Sequence, residues 1–262
     1  MTHMPPIVLC FSGHDPSGGA GIQADIEALA SHGCHACSII TAITDQDTRD
    51  VRKVIPQRAE DVIDQARTIL EDLPVKAIKI GLLGNVNIAS AIHDLLGEIP
   101  HLPVVLDPVL AAGGGSPMAN DKLVDIIRSS LVPLTTVLTP NSIEARALAP
   151  GNPCELDACG MSLLNLGCEY VLITGAHEEG PSVVNTLYHQ GKRLESFMWE
   201  RLPHSYHGSG CTLAASIAAM LANGLDPFSA VFEAQEYTWN ALEAGFVPGR
   251  GQHLPNRFYW AH

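Results

Sequence analysis

The chain is short of charge. Lys, Arg, Asp and Glu make up 16% of its 262 residues, and 15 basic side chains stand against 28 acidic ones, a net charge of −13. So acidic a balance argues against an electrostatic nucleic-acid or anionic-membrane surface and leaves small molecules as the expected partners. Long apolar runs are missing too. No stretch reaches the roughly 18 residues of a membrane helix, and residues 1–6 lack the basic start of a signal peptide, so a cytoplasmic protein is expected. The histidines show no H-E-x-x-H or similar ligand spacing. Gly113-Gly114-Gly115-Ser116 lacks the Gly-Lys-Ser/Thr ending of a phosphate-binding P-loop. The seven cysteines are an odd number with no regular framework, as expected of reduced thiols. Cys34-His35-Ala36-Cys37 has C-x-x-C spacing, but a redox pair should open a helix. This one runs into Ser38-Ile39-Ile40-Thr41-Ala42-Ile43, and no second metal pair follows, so buried, inert thiols are expected.

What is present points to one α/β domain over residues 1–262, with 46% hydrophobic residues supplying the core. Short buried strands are predicted at residues 7–11, 38–43, 77–83, 104–109, 136–139 and 169–174, with an edge strand at 51–55. Helical patterns fall at 22–31, 58–70, 86–96, 120–131, from about 142, at 211–223 and at 228–244. Residues 183–189 and 193–199 read as a hairpin turning at Gln190-Gly191, on position alone a candidate cover for a site. This alternation implies a mostly parallel sheet covered on both faces, whose ligands bind at the carboxyl ends of the strands.

The most informative stretch is His207-Gly208-Ser209-Gly210-Cys211-Thr212, followed by an Ala- and Leu-rich helix. Two glycines permit a sharp turn with unhindered N–H groups. The first helical turn then offers unpaired donors and the positive end of the macrodipole, a setting for an anion. Cys211 falls in that turn, where a thiol pKa can drop far enough to give thiolate at neutral pH, able to take a proton from a substrate hydroxyl. Taken alone, the hexapeptide reads more readily as a turn opening a core helix with Cys211 as a small buried hydrophobe, because Gly-X-Gly before a helix is a common and weak motif.

Ser12-Gly13-His14-Asp15-Pro16-Ser17-Gly18-Gly19-Ala20-Gly21-Ile22-Gln23-Ala24-Asp25 and the His207–Leu213 stretch together resemble the two signatures of the hydroxymethylpyrimidine/phosphomethylpyrimidine kinases of thiamine synthesis. Thr41-Ala42, Lys79-Ile80-Gly81, Leu106-Asp107-Pro108-Val109, Thr139-Pro140-Asn141, Glu144-Ala145 and Gly249-Arg250-Gly251 extend the similarity along the chain. The resemblance implies a ribokinase-like three-layer α/β/α fold, ATP and Mg²⁺ as cofactors and a homodimer. It also implies transfer of the ATP γ-phosphate to 4-amino-5-hydroxymethyl-2-methylpyrimidine and then to its monophosphate. Cys211 would take the place of the Asp that serves as base in most ribokinase-like kinases, with Gly208, Ser209 and Gly210 around the moving phosphate. By the same resemblance Asp25 holds the reacting hydroxyl, Gln46 reads the aminopyrimidine edge, and Gly13, Ala20, Leu82 and Val109 line the pocket. Asn141 and Thr174, with Gly208 and Gly210, belong to the nucleotide site, and Asp107 and Glu144 help place Mg²⁺. Asn141 and Glu144 also read as a helix N-terminus with a capping carboxylate.

Two departures stand out. The family usually carries Ala-Lys-Ser-Gly where this chain has Ala112-Gly113-Gly114-Gly115, and Val-Lys-Gly-Gly-His where it has Ile173-Thr174-Gly175-Ala176-His177. Both lost ammonium groups would have neutralised phosphate, and Arg146, Lys122 and Arg250 are the candidate replacements. The departures keep two alternatives open: a kinase acting on pyridoxal or a similar alcohol, and a pyrimidine-binding protein without turnover.

Overall fold

The computed structural model describes residues 4–151 and 153–261. Strands β1 (Ile7–His14), β2 (His35–Gln46), β3 (Val51–Pro56), β4 (Val75–Ile80), β5 (Val104–Leu106), β6 (Val137–Leu138), β7 (Tyr170–Ile173), β8 (Ser182–His189) and β9 (Lys192–Glu200) form one sheet. Its order is β3-β2-β1-β4-β5-β6-β7-β8-β9. The run from β2 to β7 is parallel, while β3 at one edge and β8 and β9 at the other are antiparallel.

Alternation along the strands builds two cores. In β1, Ile7, Leu9 and Phe11 face one side and Val8 and Cys10 the other. The first side is covered by α2 (Ala59–Asp72), α3 (Val86–Glu98), α4 (Asp121–Ile126), α5 (Ser142–Leu148) and α6 (Leu156–Asn165). The second is covered by α1 (Gly21–Ser31), α7 (Ser209–Ala222) and α8 (Pro227–Glu243). Helix α7 is buried continuously from Thr212 to Ala219, the pattern of a core helix, and its many alanines let α1 and α8 pack close. The expected three-layer architecture is therefore present.

Several boundaries differ from expectation for identifiable reasons. Strand β2 runs on to Gln46, because Thr44, Asp45 and Gln46 pair with Val54, Lys53 and Val51 instead of forming a loop. Strand β5 stops at Leu106, just before Asp107 and Pro108; proline has no N–H to give a ladder. The helix expected over 120–131 is α-helical only to Ile126 and continues through a π-turn, Ile127–Leu131. Helix α6 was not predicted: Gly160 weakens its helical pattern, yet a Cβ there would lie 2.6 Å from the Tyr188 ring. The β8–β9 hairpin is no cover, since both strands are hydrogen-bonded into the sheet edge. The seven cysteines are free thiols, with Cys34 and Cys37 buried and unbridged.

The strand order reverses at β1, whose neighbours are β2 and β4, so a crevice opens at the carboxyl ends of β1 and β4. The two signature loops meet there and are clamped by one side chain near the other end of the chain. Arg257, 2% exposed, donates to Thr212 Oγ1 at 2.9 Å, to Glu27 Oε2 at 2.9 Å and to the carbonyl of Gly19. Its own carbonyl accepts from Tyr237 Oη at 2.7 Å. Removing a buried guanidinium strands its acceptors, so Arg257→Ala is expected to cost roughly 3 kcal/mol. In a thermal melt this lowers the Tm by roughly 5–10 °C. Arg193, more than half exposed beside Asp157, is the control, and its alanine variant should shift Tm by no more than about 2 °C. Equal shifts for the two variants would remove the clamp from the account.

Candidate active site

The crevice widens into a cleft of about 940 Å³ across the carboxyl ends of the strands. Gly13, Ala20, Gln46, Leu82 and Val109 line one region of it; Asp107, Asn141, Glu144, Thr174, Gly208, Ser209, Gly210 and Cys211 line it as well. Asp25 does not. It is wholly buried beneath the floor, with Lys79 Nζ at 2.9 Å and Ser12 Oγ donating to it at 2.5 Å, and it is Lys79 and Ser12 that reach the cleft. The expectation that Asp25 itself holds the substrate hydroxyl is corrected accordingly: its carboxylate is spent on the buried ammonium. Lys79 also donates to Ser12 Oγ at 3.0 Å. Burial works against the ammonium, but Asp25, with Cys211 and Asp107, holds its pKa well above the usual lysine range. A lone lysine inside the apolar run Ala77-Ile78-Lys79-Ile80 was the signal for this pair.

Asp15 ties the two signature loops together. It accepts from Ser17 N at 2.8 Å, Ser17 Oγ at 2.7 Å, Ala20 N at 2.8 Å and His207 Nε2 at 2.7 Å. Burial pushes its pKa upward, but hydrogen bonds from His207, Gln46 and Ser17 hold it well below the usual carboxylate range. His207 is thereby fixed one residue before the turn at Gly208, whose φ of +86° is left-handed and where a Cβ would strike the carbonyl of Gly19. Only glycine suits this position. The turn leaves the N–H groups of Ser209, Gly210 and Cys211 as the unpaired first turn of α7, facing the cleft. A Cβ on Gly210 would lie 3.8 Å from both Asp107 oxygens.

The thiol of Cys211 departs from expectation. Burial, with Asp107 and Asp25 adding and Lys79 opposing, pushes it up to about 12. Burial and two nearby carboxylates thus oppose the ionisation that one ammonium and the helix terminus favour.

For a divalent cation, the two predicted acids differ. Asp107 Oδ2 is buried without a hydrogen-bond partner, and burial, with Asp25, raises its pKa to about 6 against the pull of Lys79. Asp107 fits a Mg²⁺ ligand. Glu144 does not, because its oxygens accept from Asn141 N at 2.9 Å and Leu110 N at 3.3 Å, and burial with Asp107 raises it to about 8. Asn141 Oδ1 returns bonds to the Ile143 and Glu144 N–H groups, completing a capping box, so the carbonyl of Asn141 and the carboxyl of Glu144 are committed to the α5 terminus. Among the described residues no three His, Cys, Asp or Glu side chains gather as a metal cage, so a Mg²⁺ there would draw most of its ligands from phosphate and water.

The cationic side chains on the cleft wall, among the described residues, are Lys79 and Arg201. None of the three expected replacements for the missing lysines lies on that wall. Arg146 is bound to Glu178 at 2.8 and 3.1 Å. At Gly113 the space of a side chain is taken instead by Gln252, 2.7 Å from where a Cβ would stand, and by His207 Nδ1 at 3.4 Å.

Parallel sheet, switch-point cleft and a glycine-turned helix terminus beside a buried, unpartnered acid define a small-molecule phosphotransferase of the ribokinase-like class. The family model described as phosphomethylpyrimidine kinase matches residues 15–256. The hydroxymethylpyrimidine/phosphomethylpyrimidine kinase of Synechococcus elongatus is 36% identical over 259 residues, 97% of this chain and 98% of that protein. Among solved structures, an ADP complex of Bacillus subtilis pyridoxal kinase aligns with a TM-score of 0.90 at 28% identity, covering 98% of this chain and 99% of that one. A Clostridium difficile phosphomethylpyrimidine kinase aligns at 0.77 and 30% identity, covering 89% and 97%. The chain belongs to the phosphomethylpyrimidine kinase family.

The state of Cys211 is open to a direct check. Iodoacetamide alkylation, followed residue by residue by mass spectrometry, should accelerate at Cys211 about tenfold per pH unit from pH 7 to 9 without levelling. A plateau below pH 8 would show that the thiolate is already formed.

Proposed function

We propose that the chain phosphorylates 4-amino-5-hydroxymethyl-2-methylpyrimidine and then its monophosphate, with a Mg²⁺-bound nucleoside triphosphate as donor. The observation that carries this reading is convergence. Gly13, Ala20, Gln46, Leu82 and Val109, far apart in sequence, line the same cleft as the α7 terminus, alongside the family match. A carboxamide at Gln46 suits the adjacent donor and acceptor of an aminopyrimidine, and Leu82 and Val109 suit its methyl group.

Phosphoryl transfer asks mainly for positioning and charge neutralisation. The Ser209, Gly210 and Cys211 N–H groups would receive the equatorial oxygens of the moving group, and the Lys79 ammonium places fixed positive charge beneath them. Asp107 would hold Mg²⁺, which neutralises charge shared with the donor phosphates. A loose transition state needs little early proton removal, so a neutral Cys211 thiol serves as a donor that orients the hydroxyl beside Asp107. The assembled cleft supports an enzyme over a binding protein. The resemblance also supports a homodimer, and the composition a cytoplasmic location.

The high structural likeness to Bacillus subtilis pyridoxal kinase favours one second reading, a pyridoxal-type activity at the same cleft. Hydroxymethylpyrimidine, its monophosphate and pyridoxal, assayed in parallel with ATP and Mg²⁺ and resolved by mass, separate the two. The expected kcat/KM is at least about tenfold higher for the pyrimidines, roughly the worth of one good hydrogen bond; the reverse ratio would establish the second reading. Gln46→Ala should raise the pyrimidine KM about tenfold with kcat little changed. A fall in kcat alone would take recognition away from Gln46.

A further inference from the structure

The second of the two transfers asks for something the first does not. In-line geometry keeps the reacting oxygen at one place beside the α7 terminus, whether it belongs to a hydroxymethyl group or to the monophosphate made from it. In the second transfer the acceptor therefore brings its own phosphate, a charge of about −1.5 to −2 at neutral pH, between its ring and that terminus. Both cations on the cleft wall already have partners inside the protein. Lys79 is bound to Asp25, and Arg201 donates to the carbonyls of Ala176, Glu178, Gly180 and Ser182.

One corner of the wall offers polar atoms instead. The place where a Cβ of Gly113 would stand is 2.7 Å from Gln252 Oε1 and 3.4 Å from His207 Nδ1, and all three residues line the cleft. Gly113 is four residues past Val109, and Gln252 is anchored on Thr48, two residues past Gln46, so the corner adjoins the acceptor end. Three backbone ties build it. The Gln252 N–H donates to the Thr48 carbonyl at 2.8 Å, the Gly251 N–H to Thr48 Oγ1 at 3.0 Å, and the His207 N–H to the His253 carbonyl at 2.9 Å. A Cβ on Gly251 would strike the Thr48 carbonyl, so the close approach of these segments depends on that glycine. His207 is held through its other ring nitrogen, Nε2, by Asp15 at 2.7 Å. The residues are thus fixed through their backbones and Nε2, and the carboxamide and Nδ1 remain for a ligand. A side chain at 113, such as the lysine usual in the family, would displace the carboxamide.

We propose that the Gln252 carboxamide and His207 Nδ1 form the subsite for the phosphate of the monophosphate acceptor, achieving by hydrogen bonding what a lysine at 113 would achieve by charge. This rests on the kinase reading above. The carboxamide presents its Nε2 donors to phosphate oxygens, and a proton on Nδ1 makes the imidazole a second donor with the Asp15 carboxylate behind it. Gly113 is then the condition for the subsite, because only a residue without a side chain admits Gln252 to the corner.

Gln252→Glu keeps the shape of the side chain and replaces its donors by a negative charge, so it tests the subsite without emptying the corner. In steady-state assays with ATP and Mg²⁺, kcat/KM for the monophosphate should fall at least about tenfold further than kcat/KM for hydroxymethylpyrimidine, the worth of a hydrogen bond to a charged group. Calorimetric titration of the monophosphate into the nucleotide-free protein should show the same loss in Kd, a readout that needs no turnover. Gly113→Lys combined with Gln252→Ala should return kcat/KM for the monophosphate to within about threefold of wild type, because an ammonium then takes the vacated space. Equal falls for the two acceptors in Gln252→Glu, no fall for either, or no recovery in a double variant that still phosphorylates hydroxymethylpyrimidine would overturn the subsite. A raised KM for ATP with both acceptors unaffected would assign the corner to a donor phosphate and overturn it as well. Wild-type transfer to hydroxymethylpyrimidine but not to its monophosphate would overturn this inference and leave the first step of the kinase reading standing. Transfer to neither pyrimidine would overturn both.

Discussion

The rest of the site depends on the ion pair between Lys79 and Asp25, both side chains wholly withdrawn from water. An isolated charge at such depth would carry a desolvation cost of several kcal/mol, so each partner requires the other, and Ser12 completes the pair by contacting both. Lys79 belongs to β4, Ser12 to β1 and Asp25 to α1, so one electrostatic requirement joins the two strands that border the crevice to the helix of the first signature loop. It also explains why Lys79, buried in the cleft floor, remains charged without being available to roam. The ammonium is a fixed feature of the floor.

Much of this was legible in the sequence, because the physical signals were local. Alternating buried strands and amphipathic helices reveal an α/β sheet, and Gly208-Ser209-Gly210 before an alanine-rich run reveals a helix terminus with free donors. What local patterns do not carry is competition between distant groups. Nothing in Thr44-Asp45-Gln46 announces the pairing with β3 that carries β2 beyond the predicted strand end at residue 43. Helix α6 was concealed by Gly160, whose presence answers to a tyrosine ring in β8.

The same limit governed the chemistry. From its place in the first helical turn, Cys211 appears ready to ionise, but the sequence says nothing of Asp107 and Asp25 lying close by. Glu144 looks like a metal ligand at a strand end until Asn141 and Leu110 claim its oxygens. Asp15 and His207, 192 residues apart, read separately as a turn former and a flanking residue. Together they set the geometry of the turn. In each case side-chain type was informative about what a residue can do, and long-range packing decided which of those things it does.

Arg257 contacts Gly19 across 238 positions of sequence. A contact of that span carries a loop-closure cost that the strands and helices between its ends offset. Opening of this one clamp would loosen the meeting of the two signature loops while leaving the strand pairings of the sheet in place. Catalytic competence in this chain is accordingly a more fragile property than foldedness, and the two need not be lost together.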